Sequence, residues 1–181
     1  MFFTKYIVSA IAVFSMASSV LATPIAQPDG QLVSKRADAV LTTVDGVSAS
    51  IAPIVAILTS AAATADVTAQ VDAIVTVFAD AQVDLAGLVG VDITADVDVI
   101  ADVNVDLIAT ILVALNIHAL LDLSIFAKID VALSAYLSAL ATINADVVVT
   151  IGKGFPLLDL NLFVVLKLSL TAKVLGLVSI L

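Results

Sequence analysis

The feature that most constrains this chain is an alternation that runs from Ala65 to Ile151. Every odd-numbered residue in this stretch is apolar or glycine, and every polar or charged residue has an even number. Such a pattern describes a chain with one apolar and one polar side. In a β-strand it would place all the polar side chains on one face, because successive side chains point to opposite faces. The alternation indicates an amphiphilic chain rather than a catalytic site.

Two signals compete over the fold class. The alternation favours strands, most clearly in residues 91–106, where Asp, Thr and Asn alternate with Val, Ile and Ala. Against strands, no glycine or proline occurs between Val91 and Ile151, although several turns would be needed there. The chain is also rich in Ala and Leu, which favour helices. We therefore predict an all-α amphipathic bundle of about five helices, with a β-rich fold around 91–106 as the alternative.

Apolar residues recur at helical spacing in several segments. The predicted helices cover 38–64, 64–88, 107–121 and 124–143, and a bundle-packed or interfacial tail follows Pro156. We expect Pro53 to end or kink the first helix, Thr64 to cap the second, and Gly87 and Gly90 to stop it. The run from Ile151 to Pro156 is the strongest predicted break. The predicted apolar stripes are Val40, Val44, Val47, Ile51, Ile54, Val55 and Leu58, then Val71, Ile74, Val75, Phe78, Leu85 and Leu88, and then Ile125, Ile129, Leu133, Tyr136, Leu137 and Leu140.

The amino-terminal region predicts processing in the secretory pathway. Residues 1–22 show a basic start, a short apolar run and small residues that end at Ala22, as in a signal peptide. Residues 23–36 contain two prolines, are expected to be extended or turn-like, and end in Lys35 and Arg36, a pair that kexin-type proteases cut. We therefore expect a propeptide at 23–36 and a mature, hydrophobic and acidic helical domain at 37–181.

Composition restricts the possible functions. Hydrophobic residues make up 62% of the chain, which exceeds the roughly 45–50% of ordinary soluble domains. The surplus has to face lipid, a partner, an interface or another copy of the chain. From residue 37 onward, 15 aspartates stand against four lysines, a formal net charge of −11 with no arginine and no glutamate. Such a chain repels phosphate backbones, so we expect no nucleic-acid partner.

The residues needed for most catalytic or metal sites are missing. The chain has no cysteine and a single histidine, His118, which lies in an apolar run and is expected to pack rather than react. The run from Asp102 to Asp106 is similar to the start of a calcium loop, but Leu107 stands where glycine is needed. We therefore expect no enzyme activity, no catalytic residue, no cofactor and no dedicated metal site.

The leader, the spacer closed by Lys35 and Arg36, and the cysteine-free mature chain rich in Ala, Val, Leu and Asp resemble small secreted wall and hyphal-surface proteins of fungi. More loosely, they resemble the hydrophobic-surface-binding protein family. The resemblance covers the layout of the whole chain, rests on no diagnostic motif, and implies a helical secreted protein that coats hyphae or binds hydrophobic surfaces.

We therefore expect an extracellular or wall-associated, surface-active protein whose partners are hydrophobic surfaces, the cell wall or lipids, with self-association as a further possibility. One alternative is an extracellular bundle that binds an apolar ligand lined by Phe78, Leu112, Leu133 and Tyr136. Another is a secreted effector that acts on a host. A separate hypothesis is that the helices convert to sheet at a water boundary, where alternation suits a strand.

Overall fold

The computed structural model describes residues 30–119 and 124–177, with side chains at 38–119, 124–156 and 159–177. Within these residues the chain forms seven α-helices and no strand. The prediction of an all-α bundle is confirmed, with two helices more than the expected five. The helices are α1 (Gly30–Ser60), α2 (Thr64–Ala86), α3 (Val97–Ile117), α4 (Ser124–Ile143), α5 (Ala145–Gly154), α6 (Leu157–Val165) and α7 (Ser169–Val174).

The helices stack in three layers. The first layer holds α1 and α2, the second holds α3 and α4, and the third holds α5, α6 and α7. α1 packs on α3 and α2 packs on α4, while α5 packs against both central helices. On the far side α6 contacts α3 and α7 contacts α4. The central pair therefore has neighbours on both sides, which explains why α3 and α4 are the more apolar of the long helices.

Side-chain contacts fix the directions of the four long helices. His118 at the end of α3 bonds to the carbonyl of Leu58 near the end of α1, so these two helices run in the same direction. Asp72 pairs with Lys128, and Phe78 further along α2 contacts Tyr136 further along α4. α2 and α4 therefore also run in the same direction, and the first four helices alternate up and down.

The alternation is compatible with helices because its polar residues recur every four positions. On α2 the line runs through 68, 72, 76, 80 and 84, and on α3 through 98, 102, 106 and 110. A step of four residues keeps the same parity and also stays on one face of a helix. The apolar face of α2 follows spacings of four and three residues instead, and its buried members are Val67, Val71, Ile74, Phe78, Ala81 and Leu85.

The alternative prediction, a β-rich fold around 91–106, is wrong. Residues 91–96 form an irregular connection, and α3 begins at Val97. Ile100, Ala101 and Asn104 then face the core, while the aspartates one turn apart point to solvent. A strand also fits this segment, because aspartates four residues apart share one face in a β-strand as well as in a helix.

Smaller expectations also change. α1 begins at Gly30 and continues through Pro53, so residues 30–36 are helical and the proline does not end the helix. Thr64 is the first helical residue of α2, whose cap is Ala63. The expected break at 151–156 narrows to Phe155 and Pro156, because α5 extends to Gly154. The two stop glycines behave as expected: α2 ends immediately before Gly87, and Gly90 has a positive φ of 86°.

The predicted core stripes are largely confirmed. On α1 the residues Val40, Val44, Val47, Ile51, Val55 and Leu58 are buried, and on α4 all six predicted residues are buried. On α2 the predicted Val75 and Leu88 are only partly buried. Spacings of three and four residues therefore located the core faces of α1, α2 and α4, because they keep side chains on one stripe of a helix. No stripe was predicted for α3.

Candidate functional surface

The four residues expected to line an apolar ligand site lie in the core. Phe78 on α2, Leu112 on α3, and Leu133 and Tyr136 on α4 are at most 1% exposed. The rings of Phe78 and Tyr136 are tilted by 41° with centroids 5.2 Å apart, which is a normal aromatic packing distance. In this arrangement the residues fill the space that a ligand would need. Ligand binding by this group therefore requires the bundle to open.

A buried polar pair joins the two central helices. The hydroxyl of Tyr136 donates to Oδ1 of Asn104 at 2.9 Å, and Nδ2 of Asn104 donates to the carbonyl of Ile100 at 2.7 Å. Burial raises the pKa of the Tyr136 phenol. The phenol therefore stays neutral and acts as a structural donor. Asn104 belongs to the calcium-like run, but it faces away from the exposed carboxylates of Asp102 and Asp106.

A second buried polar group attaches the third layer to α4. The carboxylate of Asp130, which is 4% exposed, accepts from the backbone amides of Leu170 and Thr171 at 2.9 and 2.8 Å. It also accepts from the Thr171 hydroxyl at 2.7 Å. These amides belong to the first turn of α7, where backbone donors have no helical partner. Asp130 thus caps α7 from a neighbouring helix, which the sequence alone did not reveal.

His118 has a structural position. Its ring is 9% exposed, and Nε2 lies 2.8 Å from the carbonyl oxygen of Leu58. The Leu58 carbonyl also accepts from the amide of Ala61 at 3.1 Å, so His118 adds a second contact to this oxygen at the end of α1. The packing role expected for His118 is the one that this geometry supports.

The predicted processing residues fall at the edge of the described chain. Ala22 lies outside the described residues. Lys35 and Arg36 are in the second turn of α1, and their side chains are outside the described part. Because proteases bind extended substrates, cutting after Arg36 would require this end of α1 to unwind. Processing there stays a prediction.

The most distinctive surface feature is a set of large aliphatic side chains exposed on every helix. Their exposed fractions range from 45% for Leu170 to 72% for Val83. The set consists of Ile57, Val83, Val89, Val99, Val113, Ile117, Val131, Val149, Val164, Val165 and Leu170. Seven of the eleven lie in the alternating stretch 65–151, where apolar residues at every odd position step by about 200° around a helix, so some of them must face outward. Exposed aspartates lie between them on α2 and α3.

Cavities at three helix junctions of the described part do not involve the four core residues. One of about 400 Å³ lies between α1 and α2 and is lined by polar residues such as Thr43, Ser50 and Asp84. A second, about 110 Å³, lies between α1 and α3. The third, about 250 Å³, lies between α5 and the end of α7. Among the described residues, no group of three or more His, Asp or Glu side chains is placed to share a metal ion.

Exposed charges on the connection before α3 are locally stabilised. Asp92 accepts from the amide and the hydroxyl of Thr94, and these hydrogen bonds lower the pKa of its carboxyl group. Across the first two layers, Lys128 and Asp72 form an exposed ion pair of 2.7 Å. Exposed pairs of this kind contribute about 1 kcal/mol or less. These contacts order the surface but do not form a reactive site.

Two helices have the length and apolar composition of membrane spans: Asp38–Ser60 and Ser124–Ile143. Ala145–Gly154 and Asp159–Val165 would add a third if this sharply bent pair formed one span. In the folded chain both long helices use their apolar stripes for the bundle core, and α4 carries the buried Asp130.

Comparisons of the chain with protein-family models, with curated proteins and with solved structures found no match. The family resemblance of the sequence therefore stays an expectation, and function has to be argued from the surface.

Proposed function

We propose that this chain is a secreted, non-enzymatic, surface-active protein that coats apolar surfaces. The observation that carries this proposal is the presence of half-exposed aliphatic side chains on each of the seven helices. A folded core buries most of the other large apolar residues of the described part, and further ones are partly buried against it, so adsorption does not require unfolding. Removing one such half-exposed side chain from water is worth about 1 kcal/mol, and several together bind a surface firmly.

The charge of the chain supports the same function. A net charge of −11 from residue 37 onward keeps an apolar-rich surface dispersed in water before it meets a boundary. Once adsorbed, neighbouring molecules repel one another through their aspartates. This combination favours a hydrated, negatively charged coat on a hydrophobic surface or on the cell wall.

The test is adsorption of the purified chain, residues 37–181, to alkyl-coated beads, followed by circular dichroism of the bound protein. We expect binding at low micromolar concentration with the helical spectrum retained, because the polar residues repeat at a helical spacing. Loss of helix on the beads would instead favour conversion to sheet. No binding to the beads would contradict the proposal.

A lipid carrier would behave differently in the same preparation. A bundle that opens around Phe78 and Tyr136 would extract about one lipid per chain from vesicles and would lower surface tension little. Tyr136 is the only tyrosine after residue 37, and the chain has no tryptophan, so its fluorescence reports directly on such opening. We expect no stoichiometric extraction and no change in tyrosine fluorescence with lipid.

A further inference from the structure

The charges of the molecule are unevenly divided among its layers. In the first layer, α1 from Asp38 onward and α2 carry six aspartates and no lysine or arginine. The connection before α3 and α3 itself carry five more aspartates, and α4 carries one charge of each sign, Lys128 and Asp130. Residues 145–177, which form the third layer, carry three lysines and two aspartates. The first layer therefore has a formal charge of −6 from Asp38 onward, and the opposite layer has a charge of +1.

Four of the eleven exposed large aliphatic side chains lie on the third layer. Val149, Val164, Val165 and Leu170 are 45–49% exposed on three short helices. Val149 and Lys153 on α5 line the 250 Å³ cavity together with Val174 on α7. Leu170 lies one turn before Val174 on the same helix. Exposed groups of α5 and α7 therefore form a continuous surface, which we call the α5–α7 face.

The lysines of the third layer suit a boundary between water and hydrocarbon. Lys153, Lys167 and Lys173 are exposed, and a lysine can lay its aliphatic stem on an apolar surface while its ammonium group stays in water. Lys167 has a φ of 56° in the turn that ends α6, a conformation that favours glycine. A lysine thus occupies a position where glycine would be less strained.

We propose that the chain adsorbs to uncharged hydrocarbon surfaces through the α5–α7 face, with α1 and α2 turned to the water. Moving a carboxylate next to a medium of low dielectric constant costs desolvation energy, so the acidic side is the least favourable side to bring to the boundary. The +1 side has the lowest such cost and offers exposed aliphatic groups at the same time. This proposal rests on the proposed surface activity and adds an orientation to it.

The test compares two double variants of the purified chain on alkyl-coated beads. Val149→Asp with Leu170→Asp changes the α5–α7 face, and Val83→Asp with Val131→Asp is the matched control on α2 and α4. The control residues are at least as exposed, so both variants add the same charge at similar sites. Circular dichroism and urea unfolding establish that both remain folded.

We expect the variant of the α5–α7 face to bind at least about tenfold more weakly and the control to stay within about twofold of the unchanged chain. Equal losses in both variants would overturn the orientation while leaving surface activity intact. Absence of binding by the unchanged chain would instead contradict the proposed function itself.

Sedimentation provides a further check. If the unchanged chain is a dimer and only the variant of the α5–α7 face is a monomer, a second copy covers this face and the proposal is wrong.

Discussion

Replacing Gly152 by alanine should destabilise the bundle, although alanine is the better helix former. Gly152 lies inside α5, and a methyl group at its Cα would overlap the backbone carbonyl of Leu175 after α7. A backbone atom cannot rotate away as a side chain can, so α5 and α7 would have to separate. Forcing extra volume into a packed site costs about 1–3 kcal/mol.

The net effect can be worked out from two opposing contributions. The substitution gains about 1 kcal/mol in helix propensity and loses more than this to the overlap. Separation would also strain the hydrogen bonds that Asp130 makes to the first turn of α7. Because the overlapped atom belongs to the backbone, the overlap should cost about 2–3 kcal/mol, in the upper part of that range. We expect a net loss of about 1–2 kcal/mol, which corresponds to a fall of about 2–8 °C in the melting temperature for a chain of this size.

Gly46→Ala is the matched control. Gly46 also lies within a helix, but nothing is within 4 Å of a methyl group placed there. This variant should therefore gain up to about 1 kcal/mol from helix propensity alone. Urea unfolding of both variants, followed by circular dichroism, measures the difference. If Gly152→Ala is stabilised as much as Gly46→Ala, the close approach of α5 and α7 is wrong.

Three further predictions concern buried groups and surface charge. Because burial raises the pKa of Tyr136, the folded chain holds its phenol proton more tightly than the unfolded chain. The contribution of this proton to the free energy of unfolding is complete below the unfolded pKa of about 10 and is lost as pH rises above it. Absorbance at 295 nm should therefore show ionisation together with unfolding, and ionisation while the helices remain intact would contradict the burial. Asp130→Ala should cost about 3 kcal/mol in urea unfolding, because it leaves buried donors on Leu170 and Thr171 without a partner, and a loss below about 0.5 kcal/mol would rule out the cap. Asp102→Asn should raise the melting temperature slightly, since Asp98 and Asp106 lie one turn away on either side; added salt should reduce this gain, and a lower melting temperature would count against repulsion.

The core was predictable where a stripe of large apolar residues repeats in steps of three and four. On α4 all six expected residues are buried, because only one face of a helix can hold that spacing. The strand interpretation failed at 91–106 because aspartates four residues apart satisfy both a strand and a helix. The absence of glycine and proline between Val91 and Ile151 favoured helices over strands.

Contacts between distant residues could not be predicted. Nothing in the sequence distinguishes Asp130 from the exposed aspartates, yet it is buried as the cap of α7, 40 residues later. Gly152 suggested a turn and instead allows a close helix contact. Both roles depend on which helices become neighbours, and hydrophobic periodicity gives the face of a helix without naming its partner.

The candidate surface was only partly predictable. The sequence indicated an excess of apolar residues over what a core can hide, and the fold places that excess on every helix. The division of charge between the layers depends on α5, α6 and α7 lying together on one side, which a linear pattern does not reveal. The core residues Phe78, Leu112, Leu133 and Tyr136 were proposed as ligand contacts because composition does not distinguish a packed core from a lined cavity.

The most direct measurement is the interfacial tension between hexadecane and water with the purified chain, residues 37–181. It should be compared with a variant in which the eight exposed valines, Val83, Val89, Val99, Val113, Val131, Val149, Val164 and Val165, are replaced by threonine. Threonine keeps the shape of valine and adds a hydroxyl group, so the fold should persist. We predict that the unchanged chain lowers the tension strongly at micromolar concentration and that the folded variant loses most of this effect. An unchanged chain without effect, or a folded variant equally active, would contradict the claim that exposed aliphatic side chains make this protein surface-active.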